Sequence, residues 1–500
     1  MQSWNLLGWC AGILILLMLL LWHKGPLDHD MFHEMALARE IFRLGRVPTE
    51  DFFAYTRTAE MVVHHEWGSG IVFYAVATLS GIHGILALKC SVIILLAALV
   101  YRCAKIKGAG WHIILITAAI PISLSIGALR TAVRAQHFTL VFLAVLLLLL
   151  ELDRKGKRWW IGLWLPLHVL WLNLHAGFVV GLGVLFLHGA ERSFRRKRVD
   201  WPILATLCAA GILTLVNPYG WDYLPYLWRG ITMSRPLIAE WRPVWQEFAW
   251  PYVLVYGLTL FPIFYVAYRR NWGVMKGLPL LLVCAYLAAR HARHLSLYAV
   301  VWAAYMPAWL QKTQLGSGLD MFWNRHVRPM TTALSAAALI AFLVLLTQGQ
   351  WGIHASANLE DLERDRRVIY PAGAVRYLQD TRFTGNVMTP FNACGSYVMW
   401  HLYPDVKVSM DSRYEVAYAH GMAREVHRFF GGREGWQETL AKYPTDLVMT
   451  RVDYPVSELM ADETPWELVY QDDVFRVFAR PDIDLPKRDR RGEKLKVQFP

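Results

Sequence analysis

The chain has 500 residues, which at about 100–200 residues per domain would suit several soluble domains. Its composition excludes that: 55% of residues are hydrophobic, 18% are charged and the mean hydropathy is +0.29. The same figures exclude a disordered chain, a collagen and a coiled coil, and 23 Trp, 22 Tyr and 22 Phe suit a protein with many membrane interfaces. The net charge of +12 is unevenly placed, with 31 Lys and Arg against 16 acids in residues 1–349, and 20 against 23 in residues 350–500. A basic excess among apolar segments orients a membrane protein and does not call for nucleic acid. The 6 cysteines are too scattered for a disulfide framework or a zinc site.

The first apolar run, residues 4–22, is long enough to cross a bilayer core of about 30 Å. It has no basic n-region and no small-residue cleavage site, so it reads as an uncleaved span. Further runs fall near residues 85–101, 110–127, 138–150, 159–172, 178–190, 201–216, 251–267, 277–289, 295–310 and 331–347, giving about eleven spans. Residues 67–83 are apolar but short and interrupted by glycine, and read as an interfacial or re-entrant helix. With the N-terminus in the cytoplasm, the inner loops hold 18 Lys and Arg in 54 residues, against 12 in 98 for the outer loops. That is the positive-inside bias, and it accounts for Arg195-Arg196-Lys197-Arg198 without a ligand. The reading is a multi-pass protein of a bacterial inner membrane whose C-terminal part is periplasmic or extracellular.

Residues 350–485 alternate strand and helix signals and read as a small α/β domain outside the membrane. Pro371 marks a helix start. Residues 406–410 and 447–452 look like strands, residues 429–443 contain a helix, and residues 467–470 and 474–479 form a hairpin around Gln471-Asp472-Asp473. The charged tail 486–500 is expected to be disordered. Domain one is then residues 1–349, including the outer loop 23–66. No internal repeat is evident, which argues against an inverted-repeat transporter.

The chemistry concentrates in that first outer loop. Asp28-His29-Asp30, His33-Glu34, Glu50-Asp51-Phe52 and His64-His65-Glu66-Trp67 stand out in a loop that holds 8 acids in 44 residues just beyond a span. Carboxylates at i and i+2 suit a general base tuned by its neighbour, or hold a divalent cation. The bland reading of Asp28 is a helix cap, worth about 1 kcal/mol. Other outer loops offer Arg130, Arg134 and His137, then Glu240, then Arg290, Arg293 and His294. Lys89 is a charge within a span, near its outer end, and either snorkels to the interface or meets a lipid phosphate.

Asp28-His29-Asp30, the amphipathic residues 32–46, Pro48, Asp51-Phe52 and His65-Glu66-Trp67 resemble the GT-C superfamily of integral membrane glycosyltransferases over residues 1 to about 300. That group includes protein O-mannosyltransferases and aminoarabinose transferases. Gly395-Ser396-Tyr397, Trp400, Lys407-Val408 and Asp411-Ser412-Arg413-Tyr414 look like the outer domain of bacterial members. The oligosaccharyltransferase motif Trp-Trp-Asp-Tyr-Gly is absent. The resemblance implies transfer of a sugar from a polyprenyl-phosphate donor to an envelope acceptor, whether glycan, lipid or protein. It implies a loop-one carboxylate as base, Asp30 before Asp28 and Glu66. Lys89, Arg130, Arg134, His137, Arg290, Arg293 and His294 would meet the lipid phosphate. His33, Glu34, His65 and Glu240 would serve the acceptor or the structure. No cofactor is required, with a divalent cation at Asp28 and Asp30 as an option. The competing readings are a flippase for lipid-linked sugars, which predicts polar residues at mid-membrane, and an assembly scaffold, which has no use for the acidic loop.

Overall fold

The computed structural model describes residues 12, 15–18, 25–125, 131–233, 235, 238–247, 250–270, 272–327, 330–348, 353–355, 357–358, 369–390, 393–419 and 421–500. The expected first span, residues 4–22, lies mostly outside them. The chain divides into two compact units. One joins Gly25–Leu86 to Ile353–Pro500, and the other joins Met1–Lys24 to Ala87–Gly352. The first outer loop therefore groups with the C-terminal residues, not with the apolar helices as expected.

The Ala87–Gly352 unit is helical. Three helices among the described residues are long and apolar enough to cross a membrane: Trp67–Lys107, Ala135–Arg154 and Trp250–Arg270. The first begins in the other unit and breaks at Gly81, whose φ of 57° and ψ of −149° are not helical. Trp201–Leu213 and Leu278–Arg290 are apolar but have 13 residues each, a rise of about 20 Å at about 1.5 Å per residue. Leu295–Leu310 is buried along nearly its whole length, as suits a helix that is apolar all round. Trp250–Arg270 instead exposes Leu254, Leu258, Phe261, Phe264 and Tyr268 along one stripe.

The basic run after residue 190 is partly neutralised within this unit. Arg192 pairs with Asp153 and Asp200, Arg195 with Glu191 at 3.0 Å, and Arg196 with Asp200 at 3.4 Å. Glu191 also binds Arg154 at 3.0 Å and accepts the Gly277 N–H at 2.9 Å.

In the other unit a two-residue pair, β1 (Gly25–Pro26) with β2 (Ile353–His354), ties the start of loop one to the start of the C-terminal region. The remaining strands are β3 (Gly385–Met388), β4 (Val406–Val408), β5 (Leu447–Arg451), β6 (Glu467–Gln471), β7 (Phe475–Ala479) and β8 (Arg488–Asp489). They form a six-stranded sheet in the order β4-β3-β5-β7-β6-β8. β4, β3 and β5 run parallel, β5-β7-β6 is antiparallel, and β8 lies parallel to β6.

Loop one covers the exposed edge of β4. Tyr55 N–H donates to the Val408 carbonyl at 3.2 Å, and Val408 N–H to the Phe53 carbonyl at 3.1 Å. Ala59 N–H reaches the Ala417 carbonyl at 2.8 Å, and Ala419 N–H reaches the Arg57 carbonyl at 3.1 Å. An edge strand left unpaired would template association with other chains; here the protein pairs it internally. Ala54, Tyr55, Ala59 and Val62 then pack into a core with Met388, Met410, Val426, Phe429 and Phe478.

The Asp30–Leu44 helix lies on the Ala393–Leu402 helix. Phe32, fully buried, meets the rings of Tyr370 and Tyr397 at 5.2 and 5.1 Å. Arg39 donates to the Trp400 carbonyl at 2.9 Å and stacks over its ring at 4.9 Å.

The tail 486–500, expected to be disordered, is ordered. It carries β8, buries Leu495, places Phe499 against Phe32 at 6.1 Å and has Gln498 N–H on the Tyr397 hydroxyl at 3.0 Å. Its charges misled because they pair locally, Arg490 with Glu493 and Arg491 with Asp489, while two apolar side chains anchor the segment.

Gly395 allows the Ala393–Leu402 helix to press on the chain after β4: a Cβ there would lie 1.9 Å from the Met410 carbonyl oxygen. Gly395→Ala should destabilise the protein by about 1–3 kcal/mol through this overpacking. Gly162→Ala, where a Cβ meets nothing within 4 Å, should leave the melting temperature unlowered.

Candidate functional site

The acidic loop folds into a compact polar cluster at the start of the Asp30–Leu44 helix. Asp28 is buried, and one of its carboxylate oxygens accepts the N–H of Asp30, the first helical residue, at 3.0 Å, while the N-cap position itself is held by His29. Asp30 keeps a side chain 23% exposed, with His29 Nε2 at 3.5 Å. One helical turn on, His33 and Glu34 are both buried.

The Trp67 helix starts against this turn because Gly70 has no side chain. A Cβ on Gly70 would sit 2.5 Å from the Glu34 carbonyl oxygen. That approach brings Glu66, which precedes the helix, next to His33 and Glu34, with one ligand atom of each within 4.8 Å of the others. His65 Nε2 lies 3.5 Å from a Glu66 oxygen.

The C-terminal region completes the cluster. His33 Nδ1 lies 2.7 Å from the Ser412 hydroxyl, which lies 2.8 Å from the Ser396 hydroxyl, and Ser412 N–H donates to Ser396 Oγ at 3.2 Å. Burial pushes His33 below the ordinary histidine range against the pull of Asp30 and Asp411, so its ring is neutral at pH 7. Burial does the same, more strongly, to His64.

Arg413, beside Ser412, is the electrostatic hub. Its guanidinium grips Asp411 through Nε at 2.9 Å and Nη2 at 2.6 Å, and reaches Asp51 of loop one through Nη1 at 2.5 Å. The Tyr418 hydroxyl donates to Asp411 at 2.6 Å, and the second Asp51 oxygen accepts the Ala54 N–H at 2.8 Å. Phe53 covers the guanidinium, with its ring centre at 5.0 Å. Burial alone would raise Asp411, but Arg413 holds it down, to about 2. Asp411 and Asp51 in turn keep Arg413 charged against the same burial.

Sequence reasoning singled out Asp28, Asp30, His33, Glu34, His65 and Glu66 as site residues, and the structure gathers them. It did not assign Ser396, Asp411, Ser412 or Arg413 to the site. The signal available was positional: these residues follow β3 and β4, and loops at the carboxyl ends of parallel strands gather functional side chains.

The expected phosphate-binding residues fall in the Ala87–Gly352 unit, apart from Arg130, which lies outside the described residues. Lys89 is 1% exposed, and its ammonium has no hydrogen-bond partner among the described residues. His137 is buried and closes the start of the Ala135–Arg154 helix, its Nδ1 accepting the Arg134 N–H at 3.0 Å. Arg290 is exposed. Arg293 stacks on Trp241 at 4.5 Å and lies 3.5 Å from Glu240, which gives Glu240 a structural partner. His294 is pushed down to about 4 by burial and neighbouring Arg293, and its Nδ1 lies 3.3 Å from the Leu287 carbonyl. It is neutral at pH 7 and brings no charge to a phosphate.

No protein-family model and no curated protein matches the chain. Solved structures do. The chain is similar to ArnT from Cupriavidus metallidurans bound to undecaprenyl phosphate, at 12% identity and a TM-score of 0.55, over 95% of this chain and 98% of that one. It is also similar to the Archaeoglobus fulgidus oligosaccharyltransferase in the apo form, at 13% identity and 0.55, over 90% and 69%. The mycobacterial arabinofuranosyltransferase AftD matches at 14% and 0.55, over 95% of this chain and 40% of that one. The chain shares the fold of these solved structures. At these identities the likeness is one of fold.

Removing one partner of a buried ion pair strands the other charge, at about 3–5 kcal/mol. Arg413→Met should therefore destabilise the unit by that amount. Limited proteolysis should then cut within residues 45–66 and within residues 405–420 in the same phase. Asp411 titrates lower in the folded chain than its usual 3.8, so its contribution is intact above about pH 4 and lost as pH falls towards 2.

Proposed function

We propose that this protein is a membrane glycosyltransferase that moves a sugar from a polyprenyl-phosphate carrier to an envelope acceptor on the outer face of a bacterial inner membrane. The observation that carries the reading is the division of labour among loop-one carboxylates, on a fold shared with glycosyltransferases. Asp28 is buried and accepts the Asp30 N–H, while Asp30 keeps a carboxylate accessible at the same helix start. The undecaprenyl phosphate in the ArnT structure supports a polyprenyl-phosphate donor.

In the reaction the acceptor hydroxyl attacks the anomeric carbon, and Asp30 takes its proton as the new C–O bond forms. The bond from carbon to phosphate oxygen breaks, and its electron pair leaves with the lipid phosphate. A single displacement of this kind inverts the anomeric centre. Cationic donors offset the charge gained by the departing phosphate. Lys89 is the foremost candidate, since a buried ammonium with no protein partner among the described residues is stabilised by a bound anion. Arg290, exposed and fork-shaped, is the second. Arg134 and Arg293 follow, with Arg293 already turned to Trp241 and Glu240. The topology proposed is eleven spans, an N-terminus in the cytoplasm, and loop one with the C-terminal region outside.

Two measurements test this. With labelled undecaprenyl-phosphate sugars and envelope fractions, the purified protein should transfer label, and Asp30→Asn should lower the rate by about 10²-fold or more without altering the melting temperature. Near-normal turnover in Asp30→Asn would move the base to another residue. For sidedness, Arg57→Cys and Asp462→Cys, both exposed positions, should label with an impermeant thiol reagent in spheroplasts of a cysteine-free variant, while Lys157→Cys should not. The opposite pattern would invert the topology.

A further inference from the structure

We infer that His33, Glu34 and Glu66 form a binding site for one divalent transition-metal ion of the Zn²⁺ or Mn²⁺ type. One ligand atom from each residue lies within 4.8 Å of the other two. A histidine nitrogen with two carboxylate oxygens is a donor set that such ions take, and three protein ligands leave a position open for water or a substrate oxygen.

Two features of the surroundings favour an ion here. His33 is anchored: its Nδ1 lies 2.7 Å from Ser412 Oγ, which is itself fixed by Ser396, so Nε2 is the nitrogen we assign to the ion. Ligating histidines are oriented in this way, with the second ring nitrogen engaged outside the coordination sphere. Second, Glu34 is 3% exposed and is brought to Glu66 by the close approach at Gly70. Two carboxylates that converge repel each other, and a cation between them relieves that repulsion. Bonds of about 2.0–2.2 Å draw such ligands together by side-chain rotation.

The neighbouring set, Asp28, His29 and Asp30, also converges within 4.8 Å. It differs in that one Asp28 oxygen already accepts the Asp30 N–H. The ion therefore belongs one helical turn beyond the pair that the sequence suggested. The proposal stands whether or not the sugar-transfer reading does, because binding is measured without any donor.

The test uses the full-length protein, stripped with chelator, desalted and titrated separately with ZnCl₂ and MnCl₂. Bound metal is read by elemental analysis and affinity by calorimetry. One equivalent of at least one of the two ions should bind per chain. Glu66→Gln, whose side chain is partly exposed and should not disturb folding, should weaken binding by about 10-fold or more. Ser412→Ala should weaken it by about 10-fold, with Ser412→Thr restoring it. The melting temperature in chelator shows that each variant is folded. No stoichiometric binding of either ion would overturn the site. So would binding undiminished in both Glu66→Gln and Glu34→Gln, or binding lost in Asp28→Asn and retained in Glu66→Gln.

Discussion

A buried guanidinium sets the terms for the site. Arg413 lies between Asp411, which follows β4, and Asp51, which belongs to a loop more than 350 residues earlier in the chain. A charge so fully removed from water is tolerated only when it is paired and hydrogen-bonded on several sides. Five contacts meet that need: two to Asp411, one to Asp51, the Phe53 ring and the Met399 sulfur at 3.9 Å. Loop one therefore cannot swing away without costing the buried guanidinium its contact with Asp51 and the cover of the Phe53 ring. The backbone pairing of residues 53–59 with Val408 and Ala417 extends the same constraint along the sheet edge.

The consequence reaches the chemistry through Ser412. Because Arg413 fixes its turn, the adjacent Ser412 hydroxyl meets His33 at a set distance, and His33 faces the carboxylates of Glu34 and Glu66. The C-terminal sheet is thus a structural participant in the acidic cluster and not an appendage to it. Gly70 and Gly395 serve the same end from the packing side, each removing a Cβ that would collide with a backbone carbonyl.

Much of this is legible in the amino-acid sequence. Composition marks the acidic loop after the first span, and the amphipathic stretch after Asp30 marks a helix. Runs at residues 447–452 and 467–479 look like strands and a hairpin, and they are strands β5, β6 and β7. Long-range pairing is not legible there. Nothing in residues 53–59, a polar and aromatic run with little periodicity, announces that they close the edge of a strand formed 350 residues later. The Arg413–Asp51 pair is invisible for the same reason, since neither residue carries a local pattern that names its partner. The tail misleads in the opposite direction. Its charge density suggests disorder, while Leu495 and Phe499, two apolar side chains in fifteen residues, suffice to anchor it.

The account rests on loop one and the C-terminal sheet folding as one cooperative body, and hydrogen exchange reads this directly. In the intact protein the amides of Tyr55, Ala59 and Val62 should be protected to the same degree as those of Val408 and Ser409. In Asp51→Asn, which leaves the sheet residues themselves unaltered, protection should fall in both sets together. Loop-one amides that exchange freely in the intact protein, or that lose protection while Val408 and Ser409 keep theirs, would contradict it.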